Sequence, residues 1–190
     1  MNAAIQTKHY TPEEYLDREE QAEFRSEYRD GQIVAMTGGT ANHNQLAINL
    51  VTLLRVALKG QDYRIYMNDM RLWIPNHRQY TYPDVMLIAG KPVFETDSKT
   101  TVLNPCAIAE VLSASTQNHD KGEKFDYYRS IPELKEYLLF DQYSSHVMQY
   151  KKTEAGWLLV EYFSTGNQID LFSVSLSFAL ADIYDLVEFE

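Results

Sequence analysis

Three side chains in this 190-residue sequence have the types and spacing that phosphoester chemistry uses: Asp84, Glu110 and Lys124. Asp84 follows Pro83 at the start of the apolar run YPDVMLIAG, and Glu110 lies inside the apolar run NPCAIAEVLSAST. Strand alternation places Cys106, Ile108, Glu110 and Leu112 on one face, with Ala107, Ala109 and Val111 on the other. An unpaired carboxylate in such a setting protonates or costs several kcal/mol, so each needs a cation, a set of donors or a shared metal. Two carboxylates on neighbouring strands could share one hard divalent ion through oxygen ligands, the way magnesium is held beside a phosphate. In STQNHDKGEKFDYYRS, helical spacing sets Asp120, Lys124 and Tyr128 on one stripe. A helix there returns Lys124 to the end of the Glu110 strand, where it could orient an attacking water and stabilise a phosphorane-like transition state. Each feature also has a plainer reading. Pro-Asp is ordinary turn chemistry, Glu110 pairs with a lysine or arginine, and Lys124 is a solvated partner of Asp120 worth about 0.3 to 0.5 kcal/mol. The combination of the three favours the shared site.

The elements that must position these groups are legible in outline. Residues 11 to 20 read as a short helix with Thr11 as N-cap, Pro12 at the first helical position and Glu14 closing a capping box. Asp30-Gly31 is a two-residue hairpin signal, which sets Glu27 across from Val34. TANHNQLAINLVTLLRVALKG is the strongest helix, with Leu46, Leu50, Leu53, Leu54 and Ala57 on its packing face and Gly60 as its stop. Strands follow at YRIYM, MRLWIP, YPDVMLIAG and PCAIAEVLS, the last two apolar enough for the sheet centre. A polar helix over roughly Gln117 to Ser130 is expected next, then a strand meander (EYLLFD, SHVMQYKK, GWLLVEYF, IDLFS), and FALADIYDLVEF as a closing helix or turn. The order predicts an α/β (α+β) fold with a mixed sheet flanked by helices, in one domain over residues 1–190.

Composition removes several classes of function. A net charge of -10 argues against nonspecific coating of nucleic acid through a basic surface, although it leaves room for a local basic cleft. The glycines of TGGTANH have neither the spacing nor the lysine of a phosphate-binding loop, so no nucleotide cofactor is expected. Cys106 is the sole cysteine and reads as a small buried hydrophobe. No apolar run reaches the ~20 residues of a membrane span and no secretory signal is apparent, so the expected location is cytoplasmic.

The chain also resembles a known family. Pro83-Asp84, followed after 25 intervening residues by Glu110-Val111-Leu112, resembles the PD-(D/E)xK nuclease signature, except that Leu112 stands where lysine is expected. Together, EYRDGQIVAM, ANHNQL, YPDVMLI, AEVLSAST and HDKGEKFDYYRSIPELKEYLLFD resemble the Uma-type family of restriction-endonuclease-like proteins, over about residues 10 to 185. In that family the lysine has moved to the following helix, and Lys124 is the matching position. The resemblance implies a restriction endonuclease-like core in which Asp84 and Glu110 bind Mg2+, or Mn2+, and Lys124 acts at the attacking water. It further implies Glu27 as a third acidic residue facing the site, a metal ligand directly or through water, and a homodimer as the assembly; DNA as substrate is inferred from the two carboxylates and the lysine themselves, not from the resemblance.

Four more residues are candidates for substrate binding. His43 starts the long helix, where its ring and the free backbone N–H groups could hold a phosphate, although a polar first-turn residue is the commoner role. Arg71 lies one strand before Asp84 and either contacts phosphate or pairs with an acid; Lys121 and Tyr128 flank Lys124. Two rival readings stay open: a noncatalytic module of this fold that binds nucleic acid or protein, and a hydrolase of a smaller phosphoester.

Overall fold

The computed structural model describes residues 8–95, 99–164 and 166–189. Helix α1 (Pro12–Glu19) is capped as its sequence requires: Thr11 N donates to Glu14 Oε2 at 2.8 Å and Glu14 N donates to Thr11 Oγ1 at 3.2 Å. Strands β1 (Ser26–Arg29) and β2 (Gln32–Ala35) form the hairpin, with Asp30 and Gly31 at φ 39° and 99°. Both angles are positive, which a two-residue turn that follows strand twist requires. The register pairs Glu27 with Val34. Then come α2 (Ala41–Ala57), β3 (Tyr63–Met67), β4 (Arg71–Ile74), β5 (Gln79–Thr81), β6 (Val85–Ala89), β7 (Thr101–Val102) and β8 (Ala107–Leu112). Two short helices, α3 (Gln117–Lys121) and α4 (Glu123–Tyr128), lead to β9 (Glu136–Asp141), β10 (Val147–Thr153), β11 (Gly156–Tyr162), β12 (Gln168–Leu171), β13 (Leu176–Ala179) and α5 (Leu180–Ile183).

The main sheet has the order β11-β10-β9-β8-β6-β3, so β6 and β8 are interior strands, as their apolar sequences predict. Within this sheet, among the described residues, only β8 and β9 pair in parallel; a parallel pair needs a crossover, and α3 with α4 supplies it. A second sheet, β2-β1-β5-β4-β7, carries the hairpin, and β12 with β13 forms a separate ribbon. Alternation along β6 and β8 sends Val85, Leu87, Ala109 and Val111 into one core with α2 and α5, while Met86, Ile88, Ile108 and Leu112 enter another with Tyr128, Leu134 and Tyr137. Leu46, Ala47, Leu50 and Leu54 are the buried stripe of α2, which packs on the first core.

Several expectations are corrected. The single helix over 117–130 is two helices, because the backbone leaves helical geometry at Gly122 (φ -113°, ψ -94°) and helix ends at Tyr128. Cys106 does not share the face of Ile108 and Leu112; it precedes the regular strand, donates its N–H to Leu87 O at 2.7 Å and packs with Ala107 and Ala109. The strands belong to three sheets: β9, β10 and β11 of the meander stay in the main sheet, its last strand β12 leaves to pair with β13, which begins before and runs into the expected closing helix, and that helix is four residues long. Among the described residues, no helix is long and apolar enough to cross a membrane.

Candidate active site

Asp84 is the residue before β6, and the antiparallel register of β6 with β8 pairs Val85 with Ala109. One step outward, the two carboxylates therefore meet. Asp84 N donates to Glu110 Oε2 at 3.1 Å, and Val111 N donates to Asp84 Oδ2 at 2.7 Å. His43, in the first turn of α2, brings Nε2 to 3.1 Å from the same Asp84 oxygen. Thr40 caps that helix by accepting from His43 N at 3.2 Å, which fixes where the imidazole starts.

The crossover completes the cluster from the other side. Glu110 is 3% exposed, and its Oε1 accepts from Tyr128 OH at 2.7 Å and from Lys124 Nζ at 3.0 Å. The Lys124 ammonium also lies 3.2 Å from Asp120 Oδ1 and 3.6 Å from Glu27 Oε1. Glu27 arrives on β1 from the second sheet, where Arg29 holds its Oε2 at 2.6 Å and the Thr81 hydroxyl donates to its Oε1. Two sheets and two helices thus converge on one lysine.

The electrostatics follow from burial and crowding. Burial pushes the Glu110 carboxyl up; Lys124 opposes this, while Asp84 and Asp120 push it further. Burial would also raise Glu27, but Lys124, Thr81 and Arg29 outweigh it and hold that carboxyl at about 2. Burial disfavours charge on Lys124, yet Glu110, Glu27 and Asp120 keep the ammonium well above its ordinary value. For His43, burial lowers and the hydrogen bond and charge of Asp84 raise, the latter winning. Among the described residues, Glu27, Asp84, Glu110 and Asp120 bring four carboxyl groups together with two permanent cations, Lys124 and Arg29, and this crowding is what pushes Glu110 up.

The donor set fits a hard divalent ion. Glu110 Oε1 is committed to Lys124 and Tyr128, whereas Oε2 meets only the Asp84 N–H; Asp84 Oδ1 has no hydrogen bond among the described residues. Among the described residues, no group of three or more His, Cys, Asp or Glu is placed to hold a metal ion by itself. Two carboxylates with the remaining positions left to water and phosphate oxygens is the ordinary setting of Mg2+.

Not every candidate from the sequence joins the cluster. Arg71 is buried on β4, donating to Thr101 Oγ1 at 2.9 Å and lying 5.5 Å from the Tyr80 ring and 5.8 Å from that of Tyr15, within the second sheet's tyrosine core. Lys121 is half-buried on α3 and makes no ion pair among the described residues. Glu27 is brought in, but with its oxygens engaged by Arg29, Thr81 and Lys124. Sequence reasoning missed Arg29 and Thr81. Arg29 could have been found, since i and i+2 share a strand face; Thr81 depended on β5, a three-residue strand with no pattern of its own.

A crystal structure described as "a putative nuclease belonging to DUF820" from Anabaena variabilis shares this fold: it superposes with a TM-score of 0.77, at 16% identity, covering 94% of this chain and 99% of that one. The chain belongs to the Uma2 family, described as "Putative restriction endonuclease", whose model matches residues 12–181. Two Synechocystis proteins are similar over most of their lengths. "Uncharacterized protein sll1609" is 46% identical over 171 residues, 90% of this chain and 97% of that protein. "Uncharacterized protein slr1290" is 40% identical over 177 residues, 92% of this chain and 90% of that protein.

Proposed function

We propose that this protein is a Mg2+-dependent endonuclease that hydrolyses DNA phosphodiester bonds, Mn2+ being an alternative ion. The observation that carries the reading is the reciprocal bonding of Asp84 and Glu110 across β6 and β8, with Lys124 Nζ 3.0 Å from Glu110. Asp84 and Glu110 are the residues that hold the ion, which when bound supplies Lewis-acid polarisation of the phosphate and a more acidic water. Lys124 orients the attacking water and offsets charge that grows on the phosphoryl oxygens. Tyr128 holds Glu110 Oε1, which leaves Oε2 as the oxygen available to a ligand. His43 bridges Asp84 to the start of α2, the place where backbone N–H groups can donate to a phosphate. Glu27 acts through Lys124 rather than as a direct ligand, because Arg29 and Thr81 already occupy it.

The test is cleavage of plasmid and oligonucleotide DNA by purified protein with Mg2+ or Mn2+, compared with Asp84→Ala and Lys124→Ala. Loss of cleavage in both variants supports the assignment; unchanged cleavage in either one refutes it. Homodimerisation is part of the proposal, since cutting both strands of a duplex is met most simply by two subunits, and light scattering that gives a monomer across concentrations would remove it.

One observation favours a second reading, a noncatalytic module that binds nucleic acid or protein: Lys124 is enclosed by three carboxylates. DNA binding that is insensitive to Mg2+ and to Asp84→Asn would support it.

A further inference from the structure

Among the described residues three carboxylates, Glu136, Glu19 and Asp120, are at most 2% exposed, and they are treated very differently. Glu136 accepts from Gln149 Nε2 at 2.5 Å, Phe172 N at 2.9 Å and Ser173 Oγ at 2.9 Å. Glu19 accepts from Ser26 N at 3.1 Å, Ser26 Oγ at 2.6 Å and Tyr82 OH at 2.9 Å. These two tie elements together, and every oxygen they carry is used. Asp120 is 2% exposed, and its Oδ1 has no hydrogen-bond partner. It faces Lys124 Nζ at 3.2 Å but without the alignment of a hydrogen bond. A carboxylate kept for stability would have its donors, because a buried acceptor left unmade is a net cost.

The backbone around Asp120 is held by hydrogen bonds, whereas its Oδ1 meets the Lys124 ammonium and, among the described residues, no aligned hydrogen-bond donor. Tyr137 OH, from β9, donates to Asp120 O at 3.0 Å, and Asp120 N donates to Thr116 O at 2.9 Å. The break at Gly122 separates α3 from α4 between Asp120 and Lys124, so the charge pair spans two helices. Of the oxygens that surround the ammonium, Glu110 Oε1 belongs to a proposed ion ligand and Glu27 Oε1 is farther away, at 3.6 Å, and shared with Thr81.

We propose that Asp120 is the positioning residue for Lys124: it keeps the ammonium beside the reacting phosphate once a divalent ion has drawn charge from Glu110. The proposal rests on the nuclease reading of this site. A cation on Glu110 would weaken that residue's attraction for the lysine, whereas Asp120, which shares no hydrogen bond with Asp84 or Glu110 among the described residues, would keep its charge for Lys124. Its bare Oδ1 is what lets Lys124 shift between a resting pair with Glu110 and a working pair with Asp120.

Asp120→Asn keeps size and removes charge, and two readouts test it. The first is acetylation of Lys124, followed by mass spectrometry in the presence of Mn2+. Wild type is expected to stay protected and Asp120→Asn to label roughly tenfold faster, because a lysine freed from its partner samples solvent. Asp120→Glu, which restores the charge, is expected to restore protection. The second is DNA cleavage, where kcat is expected to fall roughly 100-fold with KM within about twofold. Calorimetric titration with Mn2+ separates the failures. A wild type that binds no Mn2+ overturns the nuclease reading. A wild type that binds Mn2+, with labelling and kcat unchanged in Asp120→Asn, overturns the assignment of Asp120 alone. Loss of Mn2+ binding in Asp120→Asn also overturns it, by making Asp120 a ligand.

Discussion

Lys124 answers three carboxylates at once, and its removal leaves them facing one another in a site with little water. Breaking a buried ion pair from one side costs roughly 3–5 kcal/mol, so Lys124→Met is expected to lower the urea midpoint sharply. Adding Glu110→Gln to that variant removes the charge that suffers most, and the double variant is expected to recover more than half of the loss. A double-mutant cycle by urea denaturation checks this, and additive effects would count against direct coupling. Glu27 gives the pH dependence. Its folded value, about 2, lies below the ordinary 4.5, so it contributes stability that is complete above pH 4.5 and is lost as pH falls towards 2. The contribution is roughly 3 kcal/mol at neutral pH, and Glu27→Gln is expected to flatten the fall in unfolding free energy between pH 5 and pH 2.5.

The hairpin carries Glu27 to the site, and its turn is the point where that element is easiest to break. Gly31 has φ 99°, and a Cβ there would run into the His9 ring. Gly31→Val is therefore expected to cost roughly 1–3 kcal/mol in thermal denaturation, while Asp30→Asn, a residue that tolerates positive φ, leaves stability within about 0.5 kcal/mol. The elements that could be read from the sequence are those written in local chemistry: the Thr11–Glu14 box, the Asp30-Gly31 turn and the leucine stripe of α2. Those that could not are set by distant partners. β7 is two residues long and exists because it pairs with β4, and the split of the strands into three sheets depends on pairings that no local pattern encodes. The site divides in the same way. Asp84, Glu110 and Lys124 stand out because charged groups interrupt apolar runs, whereas Arg71, equally conspicuous, is spent in a tyrosine core that only the packing of β4 on α1 explains.

Across the whole molecule, the net charge of -10 and the crowding of carboxyl groups at the site act in the same direction. Folding brings like charges together, and a divalent ion that binds only the folded form should return that cost as stability. At an Mn2+ concentration about 100 times the dissociation constant, the gain is about 2.7 kcal/mol, or roughly 5–10 °C in Tm for a chain of this size. Wild type is expected to show such a shift in differential scanning calorimetry, and Asp84→Ala to show none. Without added metal the order reverses: Asp84→Asn removes a charge from the crowded pair and is expected to melt at or above the wild-type temperature. A wild type that melts higher than Asp84→Asn in chelator would mean that the carboxylates stabilise the fold by themselves. Their convergence at the end of β8 would then no longer point to an ion.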